Sequence, residues 1–522
     1  MKICFRGIKV DKLKDIARLI KKKNFKPLNT FFDKSIHQTN TQKLFDGVME
    51  GKYKTDSQAS LDIFEERIPD EKYRKLKSNV KEQMLDTLMN LDISVGASER
   101  LKATYKCEKS LFIAKMLSKN GSYLANYDIL KRTISLAKTY KMTSVILNCL
   151  EIFLNYYSIT GDKKKIVETF KEINFFKEVY FAELQANEYF HTISIKFINS
   201  KSLKPNLAEE ANKYSEEVSE NLKKFKKYNS LALNTIYFKM KSASFEVKGD
   251  FDKALAVYSQ AEKYFLKNEK IISPFLVTQF LLSKLNCYVF LQDYQNGMYV
   301  GERIAQLLPN NSLNYIFFLF DYFILTVQSK KLTHSLKILE EINSHEKFEI
   351  FFEEEREILI ILYYYLIFAL LTDKDKSLVK KGIKLRKELD VSLQIEKIKN
   401  LTQDKRGLNV AILIIKLLFC LLDKDYSKAM DKIENLRQYS FRYLRKNDYY
   451  RMDCFIRMLI LIDSSDFDFQ AVEEKGEQLL KKLKGFRTSS SNSFLNWEII
   501  PYEELWKKTI ELLKKNKSSS MS

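Results

Sequence analysis

The chain has 522 residues, of which 45% are hydrophobic and 30% are charged. This balance excludes an intrinsically disordered protein, which would lack the apolar residues needed to bury a core. Only 13 glycines and 6 prolines are present, so the sequence favours helices over sheets with tight turns. The net charge of +21 indicates either an acidic partner, such as nucleic acid, or a compositional bias toward lysine without a ligand behind it.

No targeting or membrane signal is visible. The N-terminus lacks the apolar segment of a signal peptide. The longest uncharged apolar run, Ile358–Leu371, is shorter than the roughly 20 residues needed to cross a bilayer. The 6 cysteines are scattered without a Cys-x-x-Cys pair, which is typical of a reducing compartment. We therefore expect a cytoplasmic protein without a transmembrane segment.

Residues 1–95 are predicted to form a small basic helical module. Lysine and arginine dominate residues 1–26, where apolar residues recur at helical spacing. Three further helices are predicted at residues 39–50, 56–64 and 71–90. Thr55 is placed to cap the second of these helices, because Gln58 follows at the spacing of a capping box.

The helix at 71–90 has two interpretations. Its basic first half could lie in the major groove of DNA as part of a helix-turn-helix. The candidate contacts to nucleic acid or to an acidic partner are Lys21, Lys22, Lys23, Arg74, Lys75, Lys77 and Lys81. Alternatively, the lysines face solvent and the helix packs in the core. The core stripe would then be Tyr73, Leu76, Val80, Met84 and Leu88.

Turn signals then recur at intervals of about 40 residues, enough for two helices and a connection. They are centred at residues 121, 161, 203, 250, 293, 331, 373, 425 and 466. The pattern predicts an all-α fold of about nine helical hairpins, each packed on its neighbours.

The clearest unit spans residues 235–266. Its first helix has a face made of Phe238, Ser242 and Phe245. Gly249 and Asp250 form a turn. The second helix has a face made of Phe251, Ala254, Tyr258 and Ala261. Small residues allow the two helices to cross closely, and aromatic residues fill the space beside them. This spacing resembles the tetratricopeptide repeat, closely in this unit and in outline elsewhere.

The resemblance implies a right-handed α-solenoid over residues 96–487 that binds a protein or peptide on its concave face. In tetratricopeptide proteins that capture peptides, asparagines of the first helices often grip the peptide backbone. The corresponding candidates are Asn148, Asn155, Asn234, Asn286 and Asn314. Residues 488–522 are predicted to form a loop, a capping helix over residues 502–515 and a disordered tail.

The sequence contains no recognisable catalytic motif, phosphate-binding loop or metal-ligand spacing. We expect a binding scaffold or regulator, with no enzymatic activity and no cofactor. Two alternatives stay open: a nucleic-acid-associated transcriptional regulator using the N-terminal module, and an enzyme without a known motif. Basic residues clustered on one surface would favour the regulator. A buried polar cluster with perturbed pKa values would favour the enzyme.

Overall fold

The computed structural model describes residues 13, 39–53, 55–65, 71–90, 98–199, 205–345, 353–389, 391, 408–443, 450–485 and 498–518. These residues contain 21 bounded α-helices and no β-strand. Most consecutive helices pack on each other, and many of these pairs are joined by short turns. The prediction of an all-α fold is confirmed, and the packed pairs are compatible with a solenoid. The handedness and the number of hairpins stay predictions.

The chain divides into two compact units, Met1–Phe170 and Lys171–Ser522. The first unit contains six helices and the start of a seventh. They are α1 (Asn40–Glu50), α2 (Asp56–Phe64), α3 (Glu71–Asn90), α4 (Glu99–Lys119), α5 (Tyr123–Thr139), α6 (Thr143–Thr160) and α7 (Lys163–Asn199). The division therefore falls inside α7. The domain boundaries drawn from the sequence near residues 95 and 487 stay predictions.

The second unit continues through the remaining helices. They are α8 (Pro205–Lys224), α9 (Leu231–Glu246), α10 (Phe251–Lys267), α11 (Pro274–Leu291), α12 (Tyr294–Leu307), α13 (Leu313–Gln328), α14 (Leu332–Ser344), α15 (Glu353–Leu371), α16 (Lys376–Glu388), α17 (Leu408–Leu422), α18 (Tyr426–Tyr443), α19 (Tyr450–Asp463), α20 (Phe469–Gly485) and α21 (Tyr502–Ser518).

Helices α1 to α3 have the bounds that the sequence predicts, to within one residue. Thr55 caps α2, because its hydroxyl accepts a hydrogen bond from the backbone N–H of Gln58 at 3.3 Å. The predicted stripe of α3 is buried at Tyr73, Leu76, Val80 and Met84. The side chain of Leu88 lies outside the described residues. The core-facing interpretation of this helix is therefore confirmed at those four positions.

Eight of the nine predicted turn centres fall between consecutive helices. The ninth, at residue 203, lies outside the described residues. Three turns contain Gly121, Gly161 and Gly249, whose φ values of 72°, 71° and 71° are left-handed. Glycine adopts this conformation without the steric cost that a Cβ atom adds. Glycine and aspartate therefore end the helices where the sequence analysis placed the turns.

The interval between residues 161 and 203 differs from the prediction of a two-helix hairpin. It forms the single helix α7, which has 37 residues. No glycine or proline interrupts this segment, so nothing in it ends a helix. Toward its end, α7 packs on α8, where the rings of Tyr189 and Tyr214 stack at 4.0 Å. The assignment of one hairpin to every interval is therefore wrong here.

The hairpin of α9 and α10 forms the unit that the sequence singled out. Ala254 and Ala261 are 0% exposed at the helix crossing. The Asp250 carboxylate caps α10 by accepting from the backbone N–H of Lys253 at 3.3 Å. Between α12 and α13 the close packing requires glycine, because a Cβ atom at Gly297 would lie 2.4 Å from Leu325 Cδ2. Small residues thus set the distance between neighbouring helices.

The last helix, α21, lies along the turns of four successive hairpins. Lys330 and Glu504 form an ion pair at 3.0 Å. Three further contacts of α21 reach the α15–α16 turn, the end of α17 and the α19–α20 turn. They are Lys508 with Thr372, Asn516 with Leu421 and Lys517 with Asp468. The helix therefore contacts three earlier hairpins as well as the last one.

Helix α11 is long and apolar enough to cross a membrane by length and composition, although the sequence analysis did not single it out. Its one charged residue, Lys284, forms an ion pair with Glu262 of α10 at 2.5 Å. The helix also packs against α10, α12 and α13. One such helix, packed among other helices, leaves the described residues without a clear transmembrane segment.

Candidate functional site

Four polar side chains link the first helices of three successive hairpins, α9, α11 and α13. They are Lys239, Gln279, Asn286 and Asp321, and we call them the polar row. Lys239 Nζ donates a hydrogen bond to Gln279 Oε1 at 3.3 Å. Asn286 Nδ2 donates to Asp321 Oδ2 at 3.4 Å. All four side chains keep partial contact with solvent. The row therefore runs across the array on an accessible face.

The two charged members of the polar row are strongly desolvated. Burial lowers the pKa of Lys239, whose ammonium also lies 5.0 Å from the centre of the Phe190 ring. Burial raises the pKa of Asp321 to about 7, although the hydrogen bond from Asn286 acts to lower it. A charge on a convex surface would stay hydrated. The two charged groups therefore lie partly inside the surface of the protein, and we call the half-buried surface around the polar row the recess.

Neither charge of the polar row has an opposite charge beside it in the described part of the chain. No carboxylate lies within 4.0 Å of Lys239, and no basic nitrogen lies within 4.0 Å of Asp321. Lys284 differs, because Glu262 pairs with both Lys284 and Arg303. Desolvating a charge is costly unless it is paired. The polar row therefore offers two charges of opposite sign that a ligand could neutralise.

The two ends of the polar row are separated along α11. Gln279 and Asn286 are seven residues apart, so they lie on the same face with a separation of about 10 Å along the helix axis. Leu282 lies between them on this face and is partly buried. On α13, Phe317 and Ile324 flank Asp321 in the same way. The recess therefore combines apolar surface with a few polar groups, as ligand sites do.

Of the five predicted asparagines, only Asn286 belongs to the polar row. Asn234 donates to the carbonyl oxygen of Ser230 at 2.7 Å, at the start of its own helix. Asn314 is half-exposed near the start of α13. The other two lie in the first unit, where Asn148 accepts from Lys115 at 2.6 Å and Asn155 is exposed.

The predicted nucleic-acid contacts are described only in α3. Lys21, Lys22 and Lys23 lie outside the described residues. Arg74 and Lys75 are exposed, and Lys81 is half-exposed. Lys77 forms an ion pair with Asp56 at the start of α2, at 2.7 Å. Lys77 thus holds α3 against α2, and the exposed basic surface of α3 is smaller than the sequence suggests.

Sequence reasoning missed three members of the polar row, Lys239, Gln279 and Asp321. The one available signal was Asp321, which interrupts the apolar run of α13. An acidic residue inside an apolar helix needs either a polar partner or access to solvent. The partner, Asn286, comes from another helix and could not be identified from the spacing within one helix.

A second polar cluster lies inside the array. The Tyr258 hydroxyl donates to the Glu246 carboxylate, and Cys287 Sγ lies 3.9 Å from the same oxygen. Burial raises the pKa of Glu246 to about 7 and raises the pKa of Cys287. A thiol is a good nucleophile only when its pKa is lowered. The cluster is the kind of buried polar group with perturbed pKa values that would favour the enzyme alternative. Its raised thiol pKa does not suit a nucleophile, however, and its contacts hold α9, α10 and α11 together.

A cleft of about 1280 Å³ opens between α20 and α21 on one side and the α9–α10 and α11–α12 turns on the other. Six basic and seven acidic side chains line it, so neither sign of charge dominates. Arg451 on its wall is held by Glu498 at 2.6 Å and by Glu503 at 2.8 Å. The lining of the cleft therefore indicates the charge of a ligand less clearly than the polar row does.

The fold defines this chain as an all-α protein of packed helical hairpins. Comparisons with models of protein families, with curated proteins and with solved structures give no match. Within the described residues, no group of three or more His, Cys, Asp or Glu side chains is arranged to hold a metal ion. The tetratricopeptide repeat therefore remains a resemblance.

Proposed function

We propose that this protein is a binding scaffold or regulator, and that the array holds a peptide or a segment of a partner protein against α9, α11 and α13. The polar row is the observation that carries the proposal. It joins three successive hairpins, keeps access to solvent and includes two desolvated charges without opposite partners. The location of the protein in the cytoplasm stays a prediction.

The side chains of the polar row suit a peptide backbone. The amides of Gln279 and Asn286 each provide donors and an acceptor, so they can bind backbone C=O and N–H groups. Leu282, Phe317 and Ile324 supply apolar surface beside them for the side chains of the ligand. A few polar groups would fix the register, and burial of apolar surface would supply most of the affinity.

The test is selection of short random peptides on the full-length protein, followed by affinity measurement. Asn286→Trp would fill the recess. Gln295→Trp is the matched control, because Gln295 is exposed on α12, the second helix of the same hairpin. Peptides selected on the unmodified protein should bind the Gln295 variant equally and lose at least about tenfold in affinity for the Asn286 variant. Equal binding to both variants would place the ligand elsewhere.

The nucleic-acid alternative has narrower support. It rests on the exposed Arg74 and Lys75 in α3, whereas Lys77 is paired within the protein. Phosphate contacts release counterions, so such binding would weaken steeply with salt. Salt dependence therefore separates this alternative from peptide binding through the largely apolar recess.

A further inference from the structure

The polar row has a charge pattern that constrains its ligand. Its basic end is Lys239, beside Gln279, and its acidic end is Asp321, beside Asn286. Both residues are half-buried, and neither has an opposite charge within 4.0 Å in the described part of the chain. A ligand that brings a carboxylate to Lys239 and a cation to Asp321 would satisfy both groups.

The spacing of the two ends can be compared with a peptide. They are about 10 Å apart along α11. In an extended chain, residues i and i+4 lie on the same side and are separated by about 13 Å. Residues i and i+2 are only about 7 Å apart. The separation of about 10 Å lies between these two values, so it fits side chains two or four residues apart and excludes wider spacings.

The amide groups between the two ends favour an extended ligand over a helical one. The backbone groups within a helical ligand are already hydrogen-bonded to one another. An extended segment exposes its N–H and C=O groups, which the side chains of Gln279 and Asn286 can pair with. The polar row thus offers partners for both the backbone and the side chains of an extended segment.

We propose that the recess recognises an extended peptide segment bearing an acidic and a basic side chain two or four residues apart, the acid on Lys239 and the base on Asp321. This inference rests on the proposed peptide-binding function and names the chemistry of its ligand. The opposite charges fix the orientation of the segment, because reversing it would bring like charges together.

The test uses fluorescent ten-residue peptides on a background of alanine, serine and leucine. Each contains one Glu and one Arg at a spacing of two, four or six positions, in both orders along the chain. Matched peptides carry Gln in place of Glu or of Arg. The best binder should have a spacing of two or four and not of six, and each Gln replacement should weaken its binding by about tenfold, as expected for a hydrogen bond between charged groups.

Variants of the protein show which residue is responsible for the preference for Glu in the peptide and which for the preference for Arg. Lys239→Met should remove the preference for Glu over Gln and keep the preference for Arg. Asp321→Asn should do the reverse. Lys239→Glu should bind better when Arg replaces the Glu of the peptide. Lys241→Met is the matched control on the same helix, because Lys241 is bonded to Asn212 at 2.7 Å and lies outside the polar row. It should leave both preferences unchanged.

The two proposals fail in different ways. If selected peptides bind at the recess but ignore charge and spacing, or if the Lys239 and Asp321 variants keep both preferences, the charge inference is overturned and peptide binding stands. If no peptide from the random selection or from the defined set binds, both proposals are overturned. Circular dichroism of each variant verifies that it is folded before its binding is interpreted.

Discussion

The ammonium group of Lys508 lies 3.1 Å from the backbone carbonyl oxygen of Thr372, although 136 residues separate them in the chain. The Thr372 hydroxyl accepts a second hydrogen bond from the same ammonium at 2.9 Å. Burial at this contact lowers the pKa of Lys508. The carbonyl belongs to the turn that follows α15, where the helix leaves its last C=O groups unpaired. The final helix therefore completes the hydrogen bonding of a hairpin far back in the chain.

The packing of α21 on α20 can be tested at a glycine. Gly476 is buried, and a Cβ atom there would lie 2.6 Å from the Trp506 ring. Gly476→Ala should lower the free energy of unfolding by about 1–3 kcal/mol, because the ring must shift. Gly485→Ala is the control, since nothing lies within 4 Å of a Cβ atom there. Urea unfolding measures both, and equal stability of the two variants would contradict the Trp506 contact.

The helix crossing in the best-matched hairpin can be tested at an alanine. Ala254 is 0% exposed, whereas Ala256 on the same helix is exposed. Ala254→Arg should unfold at least the α9–α10 hairpin, because the crossing has no room for a long charged side chain. Ala256→Arg should melt like the unmodified protein. A circular dichroism melt that is unchanged by Ala254→Arg would refute the tight crossing.

The parts of the fold that could be predicted depend on local sequence. Gly249 and Asp250 end one helix and begin the next through their own backbone and side-chain chemistry, so their positions mark a turn. The stripe on α3 follows from the helical period alone. Helix α7 could also have been predicted, because its 37 residues contain no glycine or proline. The regular interval between turn signals favours two helices here, whereas the local sequence favours one.

The candidate site could not be predicted in the same way, because it depends on contacts between helices. Lys239 and Gln279 are 40 residues apart, and Asn286 and Asp321 are 35 residues apart. Periodicity places each residue on a face of its own helix but does not reveal which residues of the next helix lie opposite. The contacts of α21 with earlier hairpins could not be predicted for the same reason. The apolar stripe of α21 shows which of its faces is buried but not which helices it packs against.

The stability of the protein should depend on pH through Asp321. Burial raises its pKa in the folded protein to about 7 from 3.8. Between about pH 4 and pH 7 the folded state therefore holds a proton that the unfolded state loses, and stability falls as pH rises through this window. Asp321→Asn cannot ionise, so it should be more stable than the unmodified protein at pH 8 by about 1–2 kcal/mol, after allowance for solvent contact.

Urea unfolding at pH 4 and pH 8 measures this effect. The two proteins should differ at pH 8 and nearly agree at pH 4, where Asp321 is protonated in the folded state. The variant Asn286→Ala is a second test of this assignment, because the hydrogen bond from Asn286 lowers the pKa of Asp321. Its removal should raise that pKa further and extend the loss of stability to higher pH. An identical pH dependence in all three proteins would contradict the assignment.

The ion pairs of Glu262 should contribute strongly to the packing of α10, α11 and α12. The Glu262 and Lys284 side chains are only 15% and 12% exposed. Desolvation acts to raise the pKa of Glu262, but Lys284 and Arg303 outweigh it, and the pKa is lowered. Glu262→Ala should cost about 3 kcal/mol, because it leaves a buried ammonium without its carboxylate.

The double variant Glu262→Leu/Lys284→Met distinguishes pairing from packing. It removes both buried charges and keeps apolar volume, so it should recover most of the stability lost in Glu262→Ala. Because the folded pKa of Glu262 is lowered, its contribution should be full near neutral pH and decline as acid protonates the carboxylate. A double variant as unstable as Glu262→Ala would show that the charges themselves contribute little.

The last prediction concerns whether the positive charge of the chain serves to bind nucleic acid. If the charge is only compositional, duplex DNA and RNA should bind non-specifically, no tighter than roughly 10⁻⁴–10⁻⁶ M at physiological salt. If nucleic acid is the partner, binding should instead be steep in salt, with a log–log slope of about 0.9 per phosphate contact, and replacing Lys21, Lys22, Lys23, Lys75 and Lys77 with Glu should abolish it. Lys77→Glu alone is needed as a control, because it also breaks the pair with Asp56. A sequence-dependent nanomolar affinity at physiological salt that the multiple variant loses and the Lys77 variant keeps would favour the nucleic-acid regulator.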